Sequence, residues 1–342
     1  MRFLLFLALC LTTSLTFVAC NEEDSDRPKI GFITNSVADF WTIAVTGAKK
    51  AAEEFDVYLK VSQPTSKGKL IEQKNFMEDM VSLGFSGIAI SPIDALNQAP
   101  LLNDIAKKTH LITHDSDAPT SDRECFIGVD NYVAGRMCGE LIRDAIPDGG
   151  KIMLFIGNLD GDNGPSRRQG VIDELFGRSK DPSRRDAVGK QFASDDKKWT
   201  ILGCLTDGFD RTTAKDNAVD TLTKHPDVDC MVGLYEYNPP LILEALKQAK
   251  KLKKVKVVGF DENRATLQGI RDGIVHGTIA QDPYNYGYLS VKLLAAIARG
   301  DKSMIPANKV IDVPAQKVVA ANVDAFEEAL DTRLGKKAKT PK

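Results

Sequence analysis

Three observations predict an α/β protein built from two doubly wound parallel-sheet lobes. Short apolar strands alternate with amphipathic helices along most of the chain, which implies parallel sheets covered on both faces. The alternation comes in two runs of similar size, one before and one after residue 150. The strands end in polar or aromatic residues: Asn35 to Trp41 after the first, then His114-Asp115-Ser116-Asp117, Phe260-Asp261 and Gln281. Ligands of open α/β sheets lie just outside such carboxyl ends. No nucleophile–base pair stands there, so the pattern points to gripping a small polar molecule, not to transforming it.

The first run reads as strand 29–34, helix 40–55, strand 57–61, helix 67–83, strand 88–91, helix 96–107, strands 111–113 and 126–129, and helix 132–146. In the first helix Trp41, Ala44, Val45, Ala48, Ala51, Ala52 and Phe55 form one stripe, with Lys49, Lys50, Glu53 and Glu54 opposite. The second run gives strand 151–155, helix 167–176, strand 200–205, helix 213–225, strand 230–235, helix 239–250 and strands 255–260 and 277–280. Between 178 and 198 a basic stretch containing Arg184-Arg185 and Lys197-Lys198 shows weak periodicity and reads as a solvated surface insertion. Residues 336–342 read as a disordered tail.

The amino terminus is a different material. Arg2 precedes an apolar run over residues 3–19, shorter than the ~20 residues a spanning helix needs, so it reads as a signal peptide. Phe17-Val18-Ala19-Cys20 resembles a bacterial lipobox, in which Cys20 receives lipid, and the acidic residues 21–26 suit a tether over 20–27. The whole chain, 342 residues with 43% hydrophobic content, can hold two cores. A net charge of −2 suggests no nucleic-acid partner. Cys125, Cys138, Cys204 and Cys230 lie in or beside apolar runs without C-x-x-C spacing and read as buried thiols. The four histidines show no metal-ligand spacing, and no metal or cofactor is expected.

Several segments keep a collinear order: Phe40-Trp41, His114-Asp115, Gly128-Val129-Asp130-Asn131, His225-Pro226-Asp227-Val228, Val257 to Glu262, and Thr278-Ile279-Ala280-Gln281. In these the chain resembles the ribose/galactose-type periplasmic sugar-binding proteins of ABC transporters, over roughly residues 29–334. The resemblance implies two lobes joined by a three-strand hinge, with crossings near Asp130, Gln281 and Ile311. It implies an N-terminal lobe of 28–130 plus 282–310 and a C-terminal lobe of 131–281 plus 311–335.

A sugar offers an apolar face to aromatic rings and a rim of hydroxyls to planar polar groups. On that basis the resemblance implies Phe40 and Trp41 for stacking, Asp115 and Asp261 as hydroxyl acceptors, and Gln281 at a hinge crossing. Asn35 is a further polar candidate, while Asp39 is explained equally by capping a helix. Arg167, or Arg168 one place on, would donate to the sugar, with Asn163 beside it; Phe209 would close the second lobe. Two departures bear on specificity: Ser116 where the ribose binder has Arg, and Tyr235 where the family has Asn, with Asn238 able to reach in instead. The implied function is capture of a monosaccharide or polyol outside the cytoplasmic membrane by a monomeric lipoprotein, and its delivery to an ABC permease. A receptor feeding a chemoreceptor or sensor kinase is the alternative. The effector domain of a LacI-type repressor is disfavoured by the export signal, and an enzyme by the lack of G-x-S-x-G, H-E-x-x-H and P-loop motifs.

Overall fold

A computed structural model describes residues 27–65 and 68–336; Cys20, the expected signal segment and residues 337–342 lie outside these. In chain order the first run folds as β1 (Lys29–Ile33), α1 (Asp39–Glu54), β2 (Tyr58–Ser62), α2 (Lys69–Ser82), β3 (Gly87–Ile90), α3 (Ala95–Ala106), β4 (His110–His114), β5 (Phe126–Gly128) and α4 (Asn131–Ala145). Next come β6 (Gly150–Ile156), α5 (Asn163–Leu175), β7 (Phe192–Ala193), β8 (Trp199–Thr206), α6 (Arg211–Lys224), β9 (Cys230–Gly233), α7 (Asn238–Gln248), β10 (Lys256–Phe260), α8 (Arg264–Arg271) and β11 (Gly277–Ala280). The chain ends with α9 (Pro283–Ala298), β12 (Val310–Asp312), β13 (Gln316–Val319) and α10 (Val323–Arg333).

The strands form two sheets, ordered β12-β5-β4-β3-β1-β2 and β13-β11-β10-β9-β6-β8-β7. In the first sheet β1 sits between β2 and β3, and in the second β6 sits between β8 and β9, so each has a switch point at its carboxyl edge. Strands covered on both faces should be continuously apolar, and β3, β9 and β11 are buried at every residue. Edge strands differ: β7 is two residues long and pairs antiparallel with β8.

The chain passes between sheets three times. It leaves the first after β5, returns after β11, and leaves again after β12, which pairs in parallel with β5. Ile311, expected at the third crossing, is therefore still inside the first sheet, and the crossing falls at residues 313–315. The cause is local: β12 is short and half-exposed, without an apolar pattern to mark its end. β13 then runs antiparallel to β11.

The same packing device recurs in both lobes. A Cβ on Gly47 of α1 would lie 2.0 Å from the Tyr284 carbonyl oxygen of α9, and one on Gly287 of α9 would lie 1.9 Å from that of Ala44. In the second lobe a Cβ on Gly135 of α4 would meet the Arg167 carbonyl oxygen at 2.2 Å, and one on Gly170 of α5 that of Tyr132 at 2.2 Å. Glycine alone lets these helix backbones approach so closely. The second contact fixes where α5 presents Arg167.

The stretch 178–198 is largely exposed, as a solvated surface insertion should be, yet its arginines reach back to α5. Asp173, fully buried on α5, accepts from Tyr132 Oη (2.8 Å), Gln169 Nε2 (3.0 Å) and Arg184 Nη1 (2.6 Å). Arg178 reaches both Asp173 and Asp186. An unpaired buried carboxylate would be costly, so its cations must come from somewhere; this segment supplies them. The four cysteines of the described body are all free and buried.

Candidate functional site

The carboxyl ends of both sheets open onto one cleft of about 880 Å3, a volume ordinary for small-molecule sites. The first lobe contributes Asn35, Phe40, Trp41, Asp115 and Ser116; the second contributes Asn163, Arg167, Phe209, Tyr235 and Asp261; Gln281 lines it at a crossing. Asn238 does not line it. That side chain is buried below the wall, where it donates to Asp207 Oδ2 (3.0 Å) and accepts from the Tyr235 amide (3.1 Å). Asp39 neither lines the cleft nor caps α1, whose N-cap is Ala38 with no side-chain bond.

In the first lobe Asp115 follows β4 in the left-handed backbone region, with φ of 60°. Its amide donates to the Ile127 carbonyl at 3.0 Å, so the strand neighbour holds it there. Ser91 Oγ donates to its Oδ2 at 2.9 Å, and Asn35 Nδ2 donates to Ser91 Oγ at 3.1 Å. Asn35 Oδ1 in turn accepts from Trp41 Nε1 at 3.1 Å. The indole is thus fixed at its polar end, and Phe40 stands edge-on to it at 5.0 Å. Behind them His114 stacks on Phe32 at 4.3 Å. Burial pushes its pKa down to about 3, so it is a neutral spacer under Trp41.

The second wall is built on Arg167. Its Nε donates to Asn131 Oδ1 (2.8 Å) and its Nη1 to the Leu234 carbonyl (3.0 Å), while the guanidinium lies over the Phe260 ring at 4.4 Å. Arg168 turns the other way, to the carbonyls of Asp186 and Ala187. Asp261 follows β10 with φ of 64°, its amide bonded to the Ile279 carbonyl at 2.8 Å, a copy of the Asp115 geometry. Gln281 Nε2 donates to Asp261 Oδ1 at 2.7 Å, and Tyr286 Oη of α9 donates to Gln281 Oε1 at 3.1 Å. A polar thread therefore runs from the second-lobe carboxylate through the crossing into the first lobe. Burial raises both Asp115 and Asp261 to about 6, with the Arg167 charge opposing in each case.

An aromatic shelf finishes the second wall. Tyr235 Oη donates to Asn163 Oδ1 at 3.0 Å, and Phe209 lies nearly parallel to Tyr235 at 5.9 Å. Asp207, which sequence reasoning missed, organises it: this buried carboxylate accepts from Tyr237 Oη (2.6 Å), Asn238 Nδ2 and the Phe209 amide (2.8 Å). Ser91 was missed too, although a serine closing an apolar strand was the available signal. From the first lobe Lys69 Nζ reaches over the Phe209 ring at 5.5 Å, so the lobes meet across the mouth. The arrangement can accept hydroxyl donors at two carboxylates, donate from one guanidinium, and cover an apolar face. Among the described residues no group of three or more acidic, histidine or cysteine side chains is placed to hold a metal.

Comparison with known proteins returns one family model, the periplasmic binding protein domain, matching residues 30–302. The D-allose-binding periplasmic protein of Escherichia coli is 23% identical over 79% of this chain and 84% of its own length. The ribose import binding protein of Haemophilus influenzae is 27% identical over 77% and 82%. Among solved structures, a glucose-galactose binding protein from Geobacillus stearothermophilus superposes with TM-score 0.76 at 23% identity, covering 87% of this chain and 99% of that one. A solute-binding protein from Agrobacterium radiobacter in complex with D-arabinose gives TM-score 0.77 at 23% identity, covering 90% and 99%.

Proposed function

Because the chain belongs to the periplasmic binding protein family, whose members bind without catalysing a reaction, we propose that it is an extracytoplasmic receptor for a monosaccharide or related polyol, handing its solute to an ABC sugar importer. One observation carries this reading: Asp115 and Asp261, from different lobes, line the same cleft as Arg167, whose charge acts on both. A ligand touching both is fully bound only when the lobes are together, so binding and closure are one equilibrium. Sugars suit the site because each hydroxyl can donate to a carboxylate while a ring face meets Trp41, Phe40 or Phe209. The names of the relatives, ribose, allose and arabinose binders among them, support the same class. Ser116 and Tyr235 set this cleft apart from a simple ribose site. Cys20, acylated, tethers the receptor to a membrane surface.

The test is thermal unfolding of the chain from Arg27 onward against a panel of pentoses, hexoses and polyols. A ligand at about a thousand times its Kd adds ~4 kcal/mol, a shift of several degrees. One sugar giving that shift, and failing to give it in Asp115→Ala and Asp261→Ala, is the expected outcome. A flat panel sinks the sugar reading.

A further inference from the structure

Behind the cleft, on the hinge side, Glu262 presents an anomaly. It is 5% exposed, and neither Oε1 nor Oε2 has a hydrogen-bond partner. It lines two small cavities of about 190 and 60 Å3. One wall of both is Ile43 of α1 in the first lobe, and the opposite wall includes Leu330 of α10 in the second. Gln281 and Asp282, at a crossing, border the smaller one. The side chain therefore sits in the seam between the lobes.

Arg264 and Lys336 border the larger cavity and Arg333 the smaller, but none of them bonds to the Glu262 carboxyl. Glu236 lines the larger cavity with its own Oε2 unpaired, its Oε1 taken by Asn263; Asp39 faces the same space from α1. Asp261 is its chain neighbour, and Asp282 is engaged with Arg333 and with capping α9. The cations nearby are committed elsewhere: Arg264 to Glu327 and Asp331, Arg333 to Asp282, Lys336 to Asp331. An ionised carboxylate sealed among carboxylates with no donor is not sustainable. Burial first, then repulsion from Asp261, Glu236 and Asp282, drives its pKa well upward.

We propose that Glu262 is a proton-linked gauge of lobe closure: sealed in the seam it carries a proton, and when the first lobe swings away it is hydrated and releases that proton. Acidification then favours the closed form. The sign follows from linkage: the closed state holds the proton more tightly, so the closed-to-open ratio falls as pH rises, by up to about tenfold per pH unit for one proton. This rests on the two-lobe closure of the receptor reading but not on the solute being a sugar.

The experiment is therefore sugar-free. Small-angle X-ray scattering of the ligand-free protein between about pH 5 and 9 should show the radius of gyration rising with pH. Asp115 and Asp261 line the cleft from opposite lobes and add their own step near pH 6. Glu262→Gln, a permanently neutral isostere, should keep that step and lose the remainder, staying compact at alkaline pH. Ile43→Ala, which opens the cavity wall but keeps the carboxyl, should move the transition to lower pH, and it answers the question even if the glutamine variant does not fold. A wild-type radius indifferent to pH overturns the proposal, as does a Glu262→Gln profile identical to wild type or an unmoved transition in Ile43→Ala. If the profile holds while no sugar stabilises the protein, the gauge stands and the sugar reading falls.

Discussion

Asp115 and Asp261 each occupy a backbone region that L-residues avoid, and aspartate is among the few that tolerate it. The turn aims the carboxylate back across the strand ends, where an extended residue could not place it. Both are also held in ionised form at neutral pH against burial. Removing that charge should stabilise the empty protein and disable it: Asp115→Asn is expected to gain ~1–2 kcal/mol in urea unfolding at pH 7, from a pKa raised to about 6. The same variant should lose about tenfold or more in affinity, the worth of a charge-assisted hydrogen bond. The pH dependence has a definite sign. A hydroxyl donor prefers the carboxylate, so affinity should hold above pH 6 and fall as pH drops through about 6. Calorimetric titration across that range in the Glu262→Gln background, where the seam carboxyl no longer titrates, decides it; affinity that rises on acidification there would contradict the hydroxyl-acceptor role.

Elements carry the site by their ends and their spacing. Arg167 reaches the cleft because α5 lies against α4 at a distance only Gly135 and Gly170 permit. Gly135→Ala drives a methyl to 2.2 Å from the Arg167 carbonyl and should cost about 1–3 kcal/mol of stability. It should also weaken ligand binding, since the carbonyl displaced belongs to the binding residue; unchanged affinity would show that α5 tolerates the shift. These helices were legible in the sequence, because a stripe such as Trp41–Ala44–Ala48–Ala51 leaves no doubt about period. What was not legible is telling. Helix α5 begins at Asn163, a turn ahead of the periodic residues, because its first turn is glycine, proline and serine. The segment after it looked featureless since its job is ionic: arginines meeting a buried Asp173 leave no apolar rhythm.

For the whole molecule, the doubling was legible as two runs of strand–helix alternation, but sheet order was beyond local pattern, and only the collinear resemblance implied the crossings between lobes. The cleft residues were readable where they end apolar strands, as Asp115, Asp261 and Gln281 do. Asn238 misled because the strand ends earlier than expected, at Gly233, and the turn that follows sets Tyr235 in the cleft wall and Asn238 beneath it. Glu262 was invisible, since its meaning is the absence of a partner. With both walls holding ligand groups, saturation by a bound solute should shrink the radius of gyration seen in solution scattering, and Asp261→Ala should abolish the change. Scattering that is blind to a tightly bound solute would mean that the lobes do not move.

The three crossings have a consequence for how the chain becomes a protein at all. β12 and α9 complete the first lobe, yet they are made after nearly all of the second; β13 and α10, last of all, finish the second. Neither lobe is a continuous fragment, so a chain emerging from one end cannot seal its first sheet until its final quarter is available. The late closure of such long-range pairs slows folding. It also means that a single cut at any one crossing leaves two connections intact, and the halves cannot drift apart.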